Sequence, residues 1–350
     1  MEILRESIFI SSLRSFCRMF FAVSGIFIAL VLLTTLYSAI ASTGAIEPKT
    51  TVTYLPNAKG VRELVPHSSP VVLEIKFHGV IGDPKTLDTS TIQNILLDSR
   101  SGLFAHNRVK AILLHMNTPG GTVVDSDNIY QMLKVYKERY KVPVYAYIDG
   151  LCASGGVYIS SAADKIFAGP ASIIGSVGVV IGPFFNVYDT LQKIGIKALT
   201  ITAGLDKDML NPTRPWKPGE DASLKAVTSY FYERFVDVVT KARPNLDKDK
   251  LISQYGANVF DPVEAQKLGY VDMANATRDE ALALLLKEAQ IDEARPYQVV
   301  ELEPKSDLLS AFLTKSPLFT GKVEHSLDTG MPAIRDQFAY LYQPSSSGSK

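Results

Sequence analysis

Cysteine is nearly absent. Cys17 and Cys152 are the two in 350 residues, so neither a disulfide framework nor a four-thiolate zinc centre can be built. Surplus charge is missing as well: 36 basic side chains balance 36 acidic ones, which removes the basic footprint of a nucleic-acid-binding protein. Histidine is scarce, with His67, His78, His106, His115 and His325 scattered along the chain. No set of histidines and thiols has metal-ligand spacing, and no P-loop or dinucleotide fingerprint occurs, so neither a metal nor an organic cofactor is expected. No internal repeat is visible. What is present is 46% hydrophobic and only 21% charged, too apolar for a disordered chain. At roughly 100–200 residues per domain, the length allows one large domain or two smaller ones.

The apolar excess is concentrated at the N-terminus. Residues 19–42, Met19 to Ser42, carry no charge, and a helix of that length crosses a hydrocarbon core of about 30 Å. Arg5, Arg14 and Arg18 precede the run, so the positive-inside rule leaves residues 1–18 in the cytoplasm and sends the rest across the membrane. The expected protein is single-pass, its helix in contact with lipid and its folded part on the extracytoplasmic side. A cleaved signal peptide is the alternative, because Ala39-Ile40-Ala41 resembles a small-residue cleavage site; length favours an anchor. Residues 43–69, with proline and small polar residues, read as a linker. Residues 70–300 read as the folded domain, and 301–350 as a C-terminal extension with a disordered Ser/Gly tail.

The folded part alternates. Val71–Ile75, Val109–Asn117 and Val142–Ile148 are near-continuous apolar runs, as expected of parallel strands buried on both faces. Helical spacing follows around Ile92, Ile95 and Leu96, over Asp127–Tyr140, and from Gly155. Short strands fit Lys165–Ala168, Gly178–Ile181 and Lys197–Ile201. A long amphipathic helix fits Glu220–Arg243, with Leu224, Val227, Phe231, Phe235, Val238 and Ala242 on one face. This order predicts an α/β architecture.

Three segments stand at predicted strand ends with features that packing alone does not need. In Asn117-Thr118-Pro119-Gly120-Gly121, paired glycines let backbone N–H groups approach a ligand, as an oxyanion hole requires; an ordinary strand-to-helix turn fits equally. In Gly150-Leu151-Cys152-Ala153-Ser154-Gly155-Gly156, a serine sits between a strand end and a helix start, either as an exposed nucleophile or as a plain N-cap. No histidine lies between Ser154 and the end of the long helix to act as its base, and His115 falls inside a buried strand. A lysine serves instead if burial lowers its pKa from about 10.4 to about 7–8. Lys207, in Thr202-Ala203-Gly204-Leu205-Asp206-Lys207-Asp208, is one candidate, although most lysines are solvated surface charges.

Together these motifs, with Ala162-Ala163-Asp164-Lys165, Gly175-Ser176-Val177-Gly178-Val179 and Asn258-Val259-Phe260-Asp261-Pro262, resemble signal peptide peptidase A and its SohB-type relatives of peptidase family S49. The resemblance runs from about Val71 to Asp272. It implies a Clp protease/crotonase-like α/β fold behind an N-terminal transmembrane helix, and a serine endopeptidase with a Ser-Lys dyad. Ser154 would be the nucleophile, Lys207 the general base and Ser176 the residue that orients the lysine amine. The N–H groups of Gly121 and Gly155 would form the oxyanion hole. In the family the serine and lysine meet across neighbouring subunits, so a homo-oligomeric ring with shared sites is implied. The implied substrates are hydrophobic peptides, such as signal-peptide remnants or membrane-protein fragments. The chain departs from the pattern at Thr118 and Ala203, where serine is usual, and Asp206 and Asp208 flank the lysine. The alternatives are a crotonase-like acyl-CoA enzyme and a catalytically silent membrane scaffold on the same fold.

Overall fold

The computed structural model describes residues 8–41, 48–84, 86–305 and 338–341. The chain divides into two units, Met1–Pro48 and Lys49–Lys350. In the first, one helix, α1 (Ile8–Ala41), contains the uncharged run and extends back through Arg18 and Arg14, where no proline or glycine interrupts it. Its Ile10–Leu36 portion, 27 residues that are mostly apolar and unburied, is long enough and apolar enough to cross a membrane. Ser42 lies outside the described residues.

The second unit is built on a mixed sheet whose strands lie in the order β1 (Thr50–Leu55), β10 (Gln298–Pro304), β2 (Val71–His78), β3 (Val109–Thr118), β5 (Val144–Ala153), β7 (Ile173–Gly175) and β9 (Val259–Phe260), with β6 (Lys165–Ala168) beside β5. Its central strands β2 (Val71–His78), β3 (Val109–Thr118) and β5 (Val144–Ala153) are parallel. They explain the unbroken apolar runs. Val71, Leu73, Ile75 and Phe77 face one cluster together with Ile112, Leu114, Val144 and Ala146. The intervening Val72, Ala111, Leu113, Tyr145 and Tyr147 face another. With both faces covered, both are largely apolar, and the polar exceptions Glu74 and His115 are paired with each other. Helices α2 (Thr89–Asp98), α3 (Val123–Tyr140), α4 (Gly155–Ser160) and α6 (Ala222–Ala242) contribute to the first cluster, and α9 (Arg278–Glu288) to the second.

The edges depart from the expected organisation. Within 43–69, read as linker, Thr50–Leu55 forms β1 and pairs antiparallel with β10 (Gln298–Pro304), so residues 301–304 also belong to the sheet. Thr50 is fixed there by N–H and hydroxyl donation to Asp98, each 2.9 Å. The disordered tail expected at 345–349 lies outside the described residues. On the far side, β6 (Lys165–Ala168) and β7 (Ile173–Gly175) pair with successive parts of β5, and β9 (Val259–Phe260) closes the edge. In sequence α7 (Lys248–Lys250) precedes β9 and α8 (Pro262–Leu268) follows it.

One expected strand is absent. Lys197–Ile201 forms no strand, Leu199 and Ile201 are 86% and 87% exposed, and among the described residues no strand pairs with the segment. Between β8 (Val180–Ile181) and α6, the short helix α5 (Tyr188–Lys193) has no buried residue. The long helix runs over nearly the expected range, but Phe235, Val236 and Val239 carry its burial while Val227 is exposed.

His115 has a structural post. Its Nδ1 lies 3.0 Å from a carboxylate oxygen of Glu74, and Arg278 donates to the other oxygen at 2.6 Å. Burial alone would raise Glu74, but hydrogen bonds from His115 and Arg278 outweigh it and hold the carboxyl below the usual glutamate range. A depressed folded-state pKa contributes stability that is present above the unfolded-chain value and is lost as pH falls through the folded one. Replacing Arg278 by alanine would strand a carboxylate only 2% exposed. The expected loss is about 3–5 kcal/mol, read as a lower urea midpoint at neutral pH and a smaller difference in acid.

Candidate active site

The site forms where β3 and β5 end. Asn117 and Thr118 close β3, and Thr118 lies opposite Cys152 in the ladder. The Thr118 hydroxyl donates to the Gly79 carbonyl at 2.6 Å and accepts from the Gly120 N–H at 3.1 Å. Threonine therefore supplies a hydroxyl that bonds on both sides at this position, and the glycines after it are intact. The Asn117 side-chain oxygen accepts from the Leu151 N–H at 3.1 Å, at the point where Gly150 turns the strand with φ of 112°. Sequence reasoning marked the segment but missed this clamp. The signal available was a polar asparagine at the end of an otherwise apolar strand.

After Gly120, the stretch β4 (Gly120–Thr122) runs against Ile81, which donates to the Gly120 carbonyl and accepts from the Thr122 N–H, both at 2.9 Å. The approach is close enough that a Cβ on Gly121 would lie 1.8 Å from the Ile81 oxygen. Thr122 then caps α3, accepting from the Asp125 N–H.

Ser154 is the junction residue between β5 and α4. It is 1% exposed, and its backbone sits at φ 54°, ψ −115°, a region that serine adopts only under strain of about 1–3 kcal/mol. Its side chain makes no capping hydrogen bond, which removes the plain N-cap reading. The strain is held by two backbone bonds: Ser154 N–H donates to the Gly175 carbonyl at 2.9 Å, and its carbonyl accepts from Tyr158 at 3.1 Å. The next residue, Gly155, packs where a Cβ would meet Ser126 Oγ at 2.5 Å and Gly120 Cα at 3.3 Å. The two glycine segments are thus in direct contact beside the serine. Two residues earlier, Cys152 is wholly buried, and burial pushes its thiol up to about 12, so it stays protonated and is no rival nucleophile.

Ser176 follows Gly175, the residue bonded to Ser154. It is buried, has φ of 60°, and donates its N–H to the Asn258 carbonyl at 2.8 Å. Ser154, Gly155, Gly121 and Ser176 are therefore gathered in one place by the fold. Lys207 is not gathered with them: it is exposed in a run of turns, and no hydrogen bond joins it to Ser154 among the described residues. Of its acidic neighbours, Asp208 is taken up by Arg214 at 2.8 Å, and Arg214 also reaches Glu220 at 2.7 Å. Hydrogen bonding from Arg214 holds Asp208 below the usual aspartate range. Arg214 was not singled out by sequence, since its partners lie six residues away on either side through a turn that only the fold shows.

A second small sheet completes the surroundings. The strand β11 (Phe338–Leu341) lies between β4 and β8, antiparallel to both, and also approaches α4. Beside β8, a hollow of about 480 Å³ is lined by Ile181, Phe184, Leu210, Trp216 and Leu224 among others.

A strained serine thus follows a buried parallel strand and lies beside a Thr-Pro-Gly-Gly turn, and comparison with known proteins points to a peptidase. The model of peptidase family S49 matches residues 137–292, and that of Clp protease matches residues 89–174. The chain belongs to peptidase family S49. A putative signal peptide peptidase SppA of Enterococcus faecium is 31% identical over 65% of this chain and 66% of its own length. A putative protease of Synechocystis is 36% identical over 48% of this chain and 60% of its own. In each case a third or more of the relative's length lies outside the match. The architecture of this S49 chain is the α/β fold of the Clp proteases. Among solved structures, a membrane-bound stomatin-specific protease in complex with a substrate peptide covers 71% of this chain and 99% of its own, at 18% identity and a TM-score of 0.42.

Proposed function

We propose that this S49 chain is a membrane-anchored serine endopeptidase that cuts apolar peptides, with Ser154 as nucleophile and Lys207 from a neighbouring copy as general base. The observation that carries the reading is the backbone of Ser154: strained, buried, uncapped, and placed beside Gly121 and Gly155. In the proposed reaction the neutral Lys207 amine takes the Ser154 proton as Oγ attacks a peptide carbonyl. Ser176 orients the amine. The oxyanion accepts from the N–H groups of Gly121 and Gly155, the amine product leaves, and water hydrolyses the acyl-enzyme.

Sharing of the site follows from two features. A lysine that acts as a base must be sheltered from water, and among the described residues of the single chain Lys207 is exposed. The segment that carries it also shows Phe185, Ile194, Leu199, Ile201 and Leu205 to solvent, Leu205 at 95%. Apolar exposure of this extent marks an interaction surface. A ring of copies would bury the segment and bring each lysine to the next serine. Peptides would add as a strand after Ser176, beside the apolar hollow, and the anchor would hold the site where signal-peptide remnants and membrane-protein fragments are released.

The test is complementation. Ser154→Ala and Lys207→Ala proteins, each inactive on a fluorogenic signal-peptide mimic, should recover up to about a quarter of wild-type turnover after subunit exchange, the share of sites that pair an intact serine with an intact lysine. No recovery from exchanged, assembled protein would end the shared-site reading. An inactive wild type that also fails to react with a fluorophosphonate would leave a silent scaffold.

A further inference from the structure

Six residues are too few for a helix to persist alone, so α4 keeps Ser154 in its strained backbone only as firmly as α4 is itself held. Tyr158, inside that helix, is the largest wholly buried side chain among the described residues. Its N–H donates to the Ser154 carbonyl at 3.1 Å. Its hydroxyl donates to Asp127 Oδ1, on α3, at 2.6 Å, the short distance of a bond to a charged acceptor. Arg234, on α6, donates to the same oxygen from Nε at 3.2 Å and from Nη2 at 2.7 Å. One carboxylate oxygen therefore joins three helices. Packing alone does not call for the hydroxyl: the Tyr158 ring lies 5.4 Å from that of Tyr130 and 5.2 Å from that of Phe235, contacts that a phenylalanine would keep.

From this we infer that Asp127 is a positioning residue for peptide hydrolysis: through the Tyr158 hydroxyl it fixes α4, and so the places of Ser154 and of the Gly155 N–H. The inference rests on the reading of Ser154 as nucleophile. Among the described residues no hydrogen bond joins Asp127 to Ser154, and the effect passes through one side chain. Arg234 keeps the carboxylate aimed at that side chain. It belongs to the helix that follows the segment carrying Lys207, so the ion pair also ties the support of the serine to that helix.

The test sets Tyr158→Phe against Tyr136→Phe in full-length protein in detergent. Each removes one buried hydroxyl and keeps its ring in the same core, but the Tyr136 hydroxyl bonds Ser99 Oγ at 2.8 Å and serves α2 instead of α4. Both variants should lower the urea midpoint. Only Tyr158→Phe should also lower kcat on the signal-peptide mimic, by about tenfold with KM unchanged, as a displaced nucleophile does. Asp127→Ala should lose as much, and Tyr158→Phe/Asp127→Ala no more than Asp127→Ala, because both changes break one bond. Asp127→Asn, which keeps an oxygen for the hydroxyl, should restore most of the rate. Hydrogen exchange read by mass spectrometry needs no catalysis: relative to β3, residues 155–160 should exchange about tenfold faster in Tyr158→Phe and at the wild-type rate in Tyr136→Phe. A wild-type kcat in Tyr158→Phe, or equal losses of kcat in the two tyrosine variants, would overturn the role of Asp127 even if the peptidase reading stands. Faster exchange in Tyr158→Phe with no turnover in any protein, wild type included, would uphold the hold on α4 while the peptidase reading fails.

Discussion

Replacing Ser154 by alanine is expected to lower peptide hydrolysis by about 10⁶-fold, to the residue of rate that oxyanion donors and binding supply alone. The fold should be untouched, because the two bonds that hold the position are backbone N–H and carbonyl bonds that alanine keeps. Alanine also keeps the strain, as a Cβ is still present at φ 54°. Glycine removes it. Ser154→Gly should therefore be as inactive as Ser154→Ala yet more stable by about 1 kcal/mol, the usual exchange when a strained functional residue is relaxed. Thermal melts of the two variants alongside fluorophosphonate labelling make the comparison. Equal stability of the two would show that the backbone at 154 is not strained, and labelling of Ser154→Ala at the wild-type rate would place the nucleophile elsewhere.

The second large effect is expected at Gly121. Its freedom is spatial, not conformational, since the added Cβ of Gly121→Ala would lie 1.8 Å from the Ile81 oxygen. No side chain rotates to relieve this; β4 or the Ile81 backbone must move. Movement of about 1 Å misplaces the Gly121 N–H, and loss of one oxyanion donor costs about 2.7–4 kcal/mol, or 10²–10³ in kcat. The bonds between Ile81 and the Gly120 carbonyl and Thr122 N–H are lost with it, so both stability and turnover should fall. Thr118→Ser, which keeps the hydroxyl bonded to Gly79 and Gly120, is the matched control and should behave as wild type. Steady-state kcat for the three proteins decides the matter: a Gly121→Ala enzyme with wild-type kcat would exclude this glycine from the oxyanion hole.

Much of the fold was legible because its signals are local. The runs 109–117 and 142–148 lack alternation, which for short segments means burial on both faces, and both are central strands. Ser154 and the glycines could be found for a similar reason: they sit at strand ends, and glycine beside a lone serine is visible in one dimension. What failed to show were pairings between distant segments. Thr50–Leu55 is polar enough to read as linker, and it is strand only because β10 offers an edge. Lys197–Ile201 has the composition of a strand, and it is not one because among the described residues no edge meets it.

The residue types and their spacing were thus enough to determine a membrane-spanning length of helix, a buried parallel sheet, and a serine between a strand end and a helix start with glycines beside it, since each depends on neighbours in the chain. Only the tertiary structure decided the strain at Ser154, the packing of Gly121 on Ile81, the capture of Asp208 by Arg214 and the lodging of β11 between β4 and β8. Those depend on contacts between residues far apart in sequence, whose energies come from burial and hydrogen bonds that no local pattern records.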